Sequence, residues 1–137
     1  VNKIGGDAID FSGSKVDIEN VKISDVKDKA ISVGEQSFIR ISEGEFINIG
    51  VGVASKDSSE SYINNSTISD FELFAAMTYQ QNMIFGTESN LYDNTTNTSG
   101  DNPFRSQKGT NLYVDAVKIL ESDLDVEEMY SEGVMKK

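Results

Sequence analysis

One four-residue pattern returns at a fixed interval through the first half of the chain, and it limits the possible folds more than any bulk property does. Ala8-Ile9-Asp10-Phe11 comes round as Ala30-Ile31-Ser32-Val33, as Gly52-Val53-Ala54-Ser55 and as Phe74-Ala75-Ala76-Met77, a step of 22 residues each time. A second pattern keeps the same beat. Val21-Lys22-Ile23-Ser24-Asp25-Val26 returns as Gly44-Glu45-Phe46-Ile47-Asn48-Ile49 and as Ser66-Thr67-Ile68-Ser69-Asp70-Phe71, with steps of 23 and 22. Each unit is too short to bury its own apolar face and alternates apolar with polar positions, so the units must stack as strands of a solenoid.

Within one period the alternation predicts three short strands, at 7–11, 16–18 and 22–26 in the first coil and at 30–33, 38–41 and 45–49 in the second. Small polar residues such as Ser12-Gly13-Ser14 and Glu19-Asn20 separate them where the chain turns. The fold class is therefore all-β: a three-sided parallel β-helix of about 22 residues per coil, right-handed by the general chirality of parallel crossovers. Ile9, Phe11, Ile31, Val33 and Val53 stack inward on one side, Ile18, Ile41 and Ile63 on the second, and Ile23, Phe46 and Ile68 on the third. Asp25, Asn48 and Asp70 form a polar column just before the turn into the next coil, where such side chains satisfy backbone groups.

The coils are expected over 1–119, with a polar loop insertion at 93–102 and Pro103 opening the strand that follows. Residues 120–137 form an acidic tail, in which Asp125 and Glu128 have capping-box spacing and Gly133 is a stop. This predicts a short capping helix over about 126–132, with Val126, Met129 and Tyr130 covering the last coil. Val1 and Ile4 lie one period before Ile23 and Val26, so the chain is expected to open in the middle of a coil whose first part lies upstream.

Composition then removes whole classes of chemistry. Twelve basic against 23 acidic residues give a net charge of -11, which argues against nucleic-acid or anionic-membrane partners. No apolar run approaches the roughly 18 residues that insertion in a membrane as a helix requires. Cysteine and histidine are both absent, which excludes disulfides, thiolate metal sites, His triads and imidazole ligands.

Gly5-Gly6-Asp7-Ala8-Ile9-Asp10-Phe11, Asp28-Lys29-Ala30-Ile31-Ser32-Val33-Gly34-Glu35 and Gly50-Val51-Gly52-Val53-Ala54-Ser55-Lys56-Asp57 carry a family resemblance. Over roughly residues 5–114 the chain resembles the right-handed parallel β-helix repeat proteins, the group that includes pectate lyases and alginate epimerases. It is similar in particular to the β-helical C-terminal part of larger secreted or surface bacterial proteins associated with polysaccharide assembly. The resemblance implies a polysaccharide groove along one sheet, a secreted or cell-surface location, and functional residues on outward positions or in the following turn.

On the opening sheet the outward column is Asp10, Ser32, Ala54 and Ala76. The turn column is Gly13, Glu35, Asp57 and Tyr79, flanked by Lys56 and Gln80. The candidate carbohydrate-binding residues are thus Asp10, Glu35, Lys56, Asp57, Tyr79 and Gln80, with Tyr79 equally suited to the rim or the core. Stacked coils bring Glu35 and Asp57 near each other, in the manner of a glycosidase carboxylate pair or half of an oxygen-rich calcium site, calcium being the one cofactor these acids suggest. Solvated turn acids are the plainer alternative. Only Arg40 and Arg105 supply guanidinium groups, on different sides, and no lyase or epimerase motif is present. The expected function is a non-catalytic carbohydrate-associated module of a larger protein. The alternatives are the C-terminal fragment of a polysaccharide lyase, epimerase or hydrolase, and a structural spacer that oligomerises through an exposed coil end.

Overall fold

Three long strands, β4 (Lys22–Gly34), β6 (Glu45–Lys56) and β8 (Thr67–Tyr79), form the spine of a parallel β-solenoid of about five turns. The computed structural model describes residues 2–86, 88–133 and 135–136. Before the spine come β1 (Asn2–Ile4), β2 (Ile9–Ser12) and β3 (Lys15–Glu19); β5 (Phe38–Ser42) and β7 (Glu60–Asn64) alternate with its members. After it come β9 (Asn90–Asn94), β10 (Asn97–Thr98), β11 (Phe104–Gln107), β12 (Asn111–Val114), β13 (Val117–Lys118), β14 (Glu121–Ser122) and the helix α1 (Val126–Ser131).

Each spine strand joins two segments that the sequence reads as separate strands, the last of one coil and the first of the next. Asp25, Asn48 and Asp70 mark the corner between them, with φ of 57°, 55° and 52°. Asp and Asn tolerate this left-handed backbone better than other non-glycine residues, and Asn48 Nδ2 donates to Asp25 Oδ1 at 2.7 Å along the column. The column sits at the turn, as expected, but its side-chain bond runs from one coil to the next and not to a backbone group. Two sides of the solenoid therefore share one eight-stranded sheet, and the third side is a six-stranded sheet in the order β13-β12-β9-β7-β5-β3.

Register confirms the beat and corrects it in the fourth coil. Ile4 pairs with Val26, Ile9 with Ile31, Ile31 with Val53, and Ile23 with Phe46 and then Ile68; Val1 lies outside the described residues. Val53, however, pairs with Ala76 and Ala54 with Met77. The fourth instance of the pattern thus starts at Ala75, and Ala76 belongs to the interior with Met77 as its outward neighbour. The cause is the corner: Asp25 to Lys29 and Asp70 to Phe74 span one residue more than Asn48 to Val51. The shift appears as an irregularity after Val26 in one pair and after Ile49 in the next. Gly52 sits in the tight corner, where an added Cβ would collide with the Ala75 carbonyl.

The extra chain is also elsewhere than expected. Glu60 pairs with Asn90, a step of 30, whereas Asn90 pairs with Asn111, a step of 21. The surplus lies in residues 80–89, whose described residues include a 3-10 turn (Met83–Phe85). The polar stretch placed in a loop at 93–102 continues the ladder, with Asn97 and Thr98 paired to Thr67 and Ile68.

The interior is a continuous column of Ile23, Val26, Ile31, Val33, Ile39, Ile41, Phe46, Val53, Ile63, Ile68, Leu91 and Leu112, all buried. Stacked equivalents from parallel strands about 4.8 Å apart account for this continuity. The solenoid ends at a hairpin: Asp115 and Ala116 both take positive φ, and β13 runs antiparallel to β12. β14 then pairs with β11, so the sheet extends past 119 to Ser122.

The helix follows its capping box, with Glu128 N donating to Asp125 Oδ1 at 2.9 Å. Its position differs from the expected end cap. Leu124, Val126, Met129, Tyr130 and the buried Met135 pack on Val51, Ala54, Met77 and Tyr79. The C-terminal segment covers the outer face of the opening side, where Ala54 is joined by Met77 and Tyr79 through the one-residue register shift.

Candidate functional site

Four of the six candidate residues converge. Asp10, Glu35, Lys56 and Asp57 line one cleft of about 480 Å³ together with Phe11, Ser12, Gly34, Gln81 and Asn82. Glu35 and Asp57 head successive turns in which two consecutive residues take positive φ, Glu35-Gln36 and Asp57-Ser58. The turns stack by backbone bonds, Gly13 N to Glu35 O at 3.1 Å and Gln36 N to Asp57 O at 3.0 Å. This stacking holds the turn column in line.

The two carboxylates do different work. Asp57 is buried, and its Oδ1 accepts from the backbone amides of Gln81 and Asn82, both at 2.7 Å. It therefore pins the start of the long 80–89 segment, which forms one wall of the cleft. Glu35 accepts from Ser12 Oγ and belongs to the cleft lining. Lys56 lies along Gly34, where a Cβ would meet its Cε at 2.9 Å, and its Nζ donates to Gln81 Oε1 at 2.8 Å. Burial, with the Lys29 charge adding, holds the Lys56 ammonium below the usual lysine range.

Tyr79 and Gln80 do not line this cleft. Tyr79 is fully buried under the C-terminal segment, its hydroxyl 2.5 Å from that of Tyr130. Burial foremost, then Tyr130, raises its phenol well above the ordinary range. The Gln80 amide donates to Gln107 Oε1 at 2.7 Å, toward the next coil. Of the outward column, Ser32 and Ala54 are buried as well. The sheet face is thus covered, and the accessible site is its turn edge.

Two features escaped the sequence reading. Ser37, Ser59, Ser89 and Thr110 stand immediately before the strands of the third side and are all buried. Ser37 Oγ accepts from Ser14 N, Ser59 Oγ from Ser37 N and Ser89 Oγ from Ser58 N, each at 3.1 Å. On the outer surface of that side, Tyr62, Tyr92 and Tyr113 stack with centroids 4.9 and 5.3 Å apart. The tripeptides Ser61-Tyr62-Ile63, Leu91-Tyr92-Asp93 and Leu112-Tyr113-Val114 carry this ladder, but the step of 30 hides its period. Its ring faces pack on one another, so it zips coils together and leaves little ring face for a sugar.

Among the described residues no group of three or more acidic side chains is arranged to hold a metal ion, and no helix is long and apolar enough to cross a membrane. No family model, curated protein or solved structure matches this chain.

Proposed function

We propose that the chain is a non-catalytic carbohydrate-associated module that takes a neutral sugar in the cleft beside the 80–89 segment. The observation that carries this reading is the composition of one lining. Asp10 and Glu35 supply hydroxyl acceptors, Lys56 a donor, Gln81 and Asn82 carboxamides, and Phe11 an apolar surface. Such a mixture suits a polyhydroxylated ring, which offers both hydroxyls and C–H faces. Three carboxylates against one ammonium make the cleft electronegative, which favours a neutral glycan over a uronate polymer.

The hydrolase alternative draws less support, because Asp57 is committed to two backbone amides and is not free as a nucleophile. The spacer reading has an observation of its own. β3 is an edge strand of the six-stranded sheet, and Ile4, Ile9, Phe11, Val16 and Ile18 are only partly buried. In the chain taken by itself this edge favours end-to-end association, which light scattering would detect as a concentration-dependent mass.

A glycan array probed with the chain, and with the Asp10→Ala, Glu35→Ala double variant, tests the main reading. It is run once with calcium and once with chelator, since Glu35 is also the acid for a calcium-bridged sugar. Signal on neutral glycans that the double variant loses supports the cleft; absence of signal on every glycan sinks it.

A further inference from the structure

The most unusual constellation lies away from the cleft, under the C-terminal segment. Lys29 is fully buried on the outer face of β4, and its Nζ lies 2.7 Å from Asp28 Oδ1 and 3.0 Å from Asp7 Oδ1. The side chains of the two acids are 3% and 7% exposed, respectively. The Tyr130 ring closes the top, its centroid 5.5 Å from Nζ, and the Tyr79–Tyr130 hydroxyl pair seals the side. Asp7 belongs to the preceding coil, 22 residues back along the chain.

Removing one ammonium and two carboxylates from water is costly, and the three groups offset that cost by pairing with one another. Burial foremost raises the Asp28 carboxyl above the usual range, and a hydrogen bond shared with Asp7 adds to the rise against the pull of Lys29. Lys29 also presents its backbone N–H to Asp7 Oδ1 at 3.3 Å. An amine, a carboxyl whose oxygen faces a backbone donor, and a neighbouring acid within 2.7 Å of the same amine are thus collected in a water-poor pocket. These are the components of an amide condensation.

We propose that Lys29 and Asp7 are a site of self-modification, joined by an isopeptide bond between Lys29 Nζ and Asp7 Cγ, with Asp28 as the proton-transferring residue. The Lys29 ammonium first passes a proton to the Asp7 carboxylate it contacts at 3.0 Å; the amine so formed attacks Cγ, and the bond from Cγ to the protonated oxygen breaks. That oxygen departs as water with a proton delivered by Asp28, and Asp28 is reprotonated by the proton the nitrogen sheds. The sum is one ammonium plus one carboxylate giving one amide plus one water, and no oxidant or cofactor enters. The product cancels two buried charges and staples adjacent coils, the service a disulfide gives by closing a loop, in a chain that has no cysteine. Bonding to Asp28 instead would join sequence neighbours and tie nothing.

Intact-mass spectrometry of the folded full chain decides the matter, independently of any glycan. The expected result is a mass lower than the sequence mass by one water. Tryptic digestion should leave Lys29 uncleaved and yield a branched peptide joining it to Asp7. Asp28→Asn and Lys29→Arg should both restore the full mass, with circular dichroism reporting the fold of each. A folded wild-type chain at full sequence mass overturns the proposal, as does a water loss that maps to an aspartimide. Persistence of the branched peptide in Asp28→Asn overturns the role of Asp28.

Discussion

Asp93 occupies an inward position in register with Ile63 and Val114, where every other coil on that side carries an aliphatic residue. It is 2% exposed, and neither carboxylate oxygen meets a partner in hydrogen-bonding geometry among the described residues. Burial pushes its carboxyl up to about 6, with the Thr96 hydroxyl lowering it somewhat. Because the folded value lies above the ordinary aspartate value of 3.8, the folded state holds this proton more tightly than the unfolded chain does. Stability from this group is therefore present at low pH and lost as pH rises through the window from about 4 to about 6, by at most roughly 3 kcal/mol. Asp93→Ile should raise stability at about pH 7 by roughly 1–3 kcal/mol and flatten the pH dependence, as measured by urea unfolding at about pH 5 and about pH 7. At the corner, Gly52→Ala should cost roughly 1–3 kcal/mol, read as a lower Tm, since the new methyl meets the Ala75 backbone carbonyl and the buried Ile68 side chain. Neither effect is written in the repeat. Asp93 looks like one more polar residue in an acidic chain until the step of 30 is known.

Among the elements, the three-sided coil, the inward columns and the capped helix were legible because each rests on local periodicity or a short-range cap. The placement of the surplus chain was not. Residues 94–102 are polar enough to read as a loop, yet Thr98 pairs with Ile68 and Ala75 N donates to Pro103 O, so the ladder persists there. Residues 80–89 contain apolar Ile84 and Phe85, which disguise the true excursion; Ile84 is 82% exposed. The docking of α1 was hidden for a related reason, since an apolar helix face shows that something is covered and not what. The turn column brought Glu35, Lys56 and Asp57 into one place, whereas Tyr79 was carried to the covered face by the one-residue difference between corners. At this scale the pinning role of Asp57 is testable. Asp57→Ala should release the amides of Gln81 and Asn82, giving faster hydrogen exchange at those two residues and a stability loss of roughly 1–3 kcal/mol, with the ladder amides of β6 and β8 unchanged.

For the molecule as a whole, the architecture divides labour between its surfaces. One outer face is closed by the C-terminal segment over a buried ionic cluster, a second is knitted by a tyrosine ladder, and the turn edge where the coil lengthens is left open as a polar cleft. On the proposed function, this edge receives a neutral sugar. Titration calorimetry with matched oligosaccharides, one neutral and one bearing uronate carboxylates, tests it most directly, using the chain and its Glu35→Gln variant. The expected result is saturable binding of the neutral oligosaccharide, weakened about tenfold or more by Glu35→Gln through loss of a charge-assisted hydrogen bond, and weaker or no binding of the uronate. Binding of neither oligosaccharide, preference for the uronate, or affinity untouched by Glu35→Gln would contradict it.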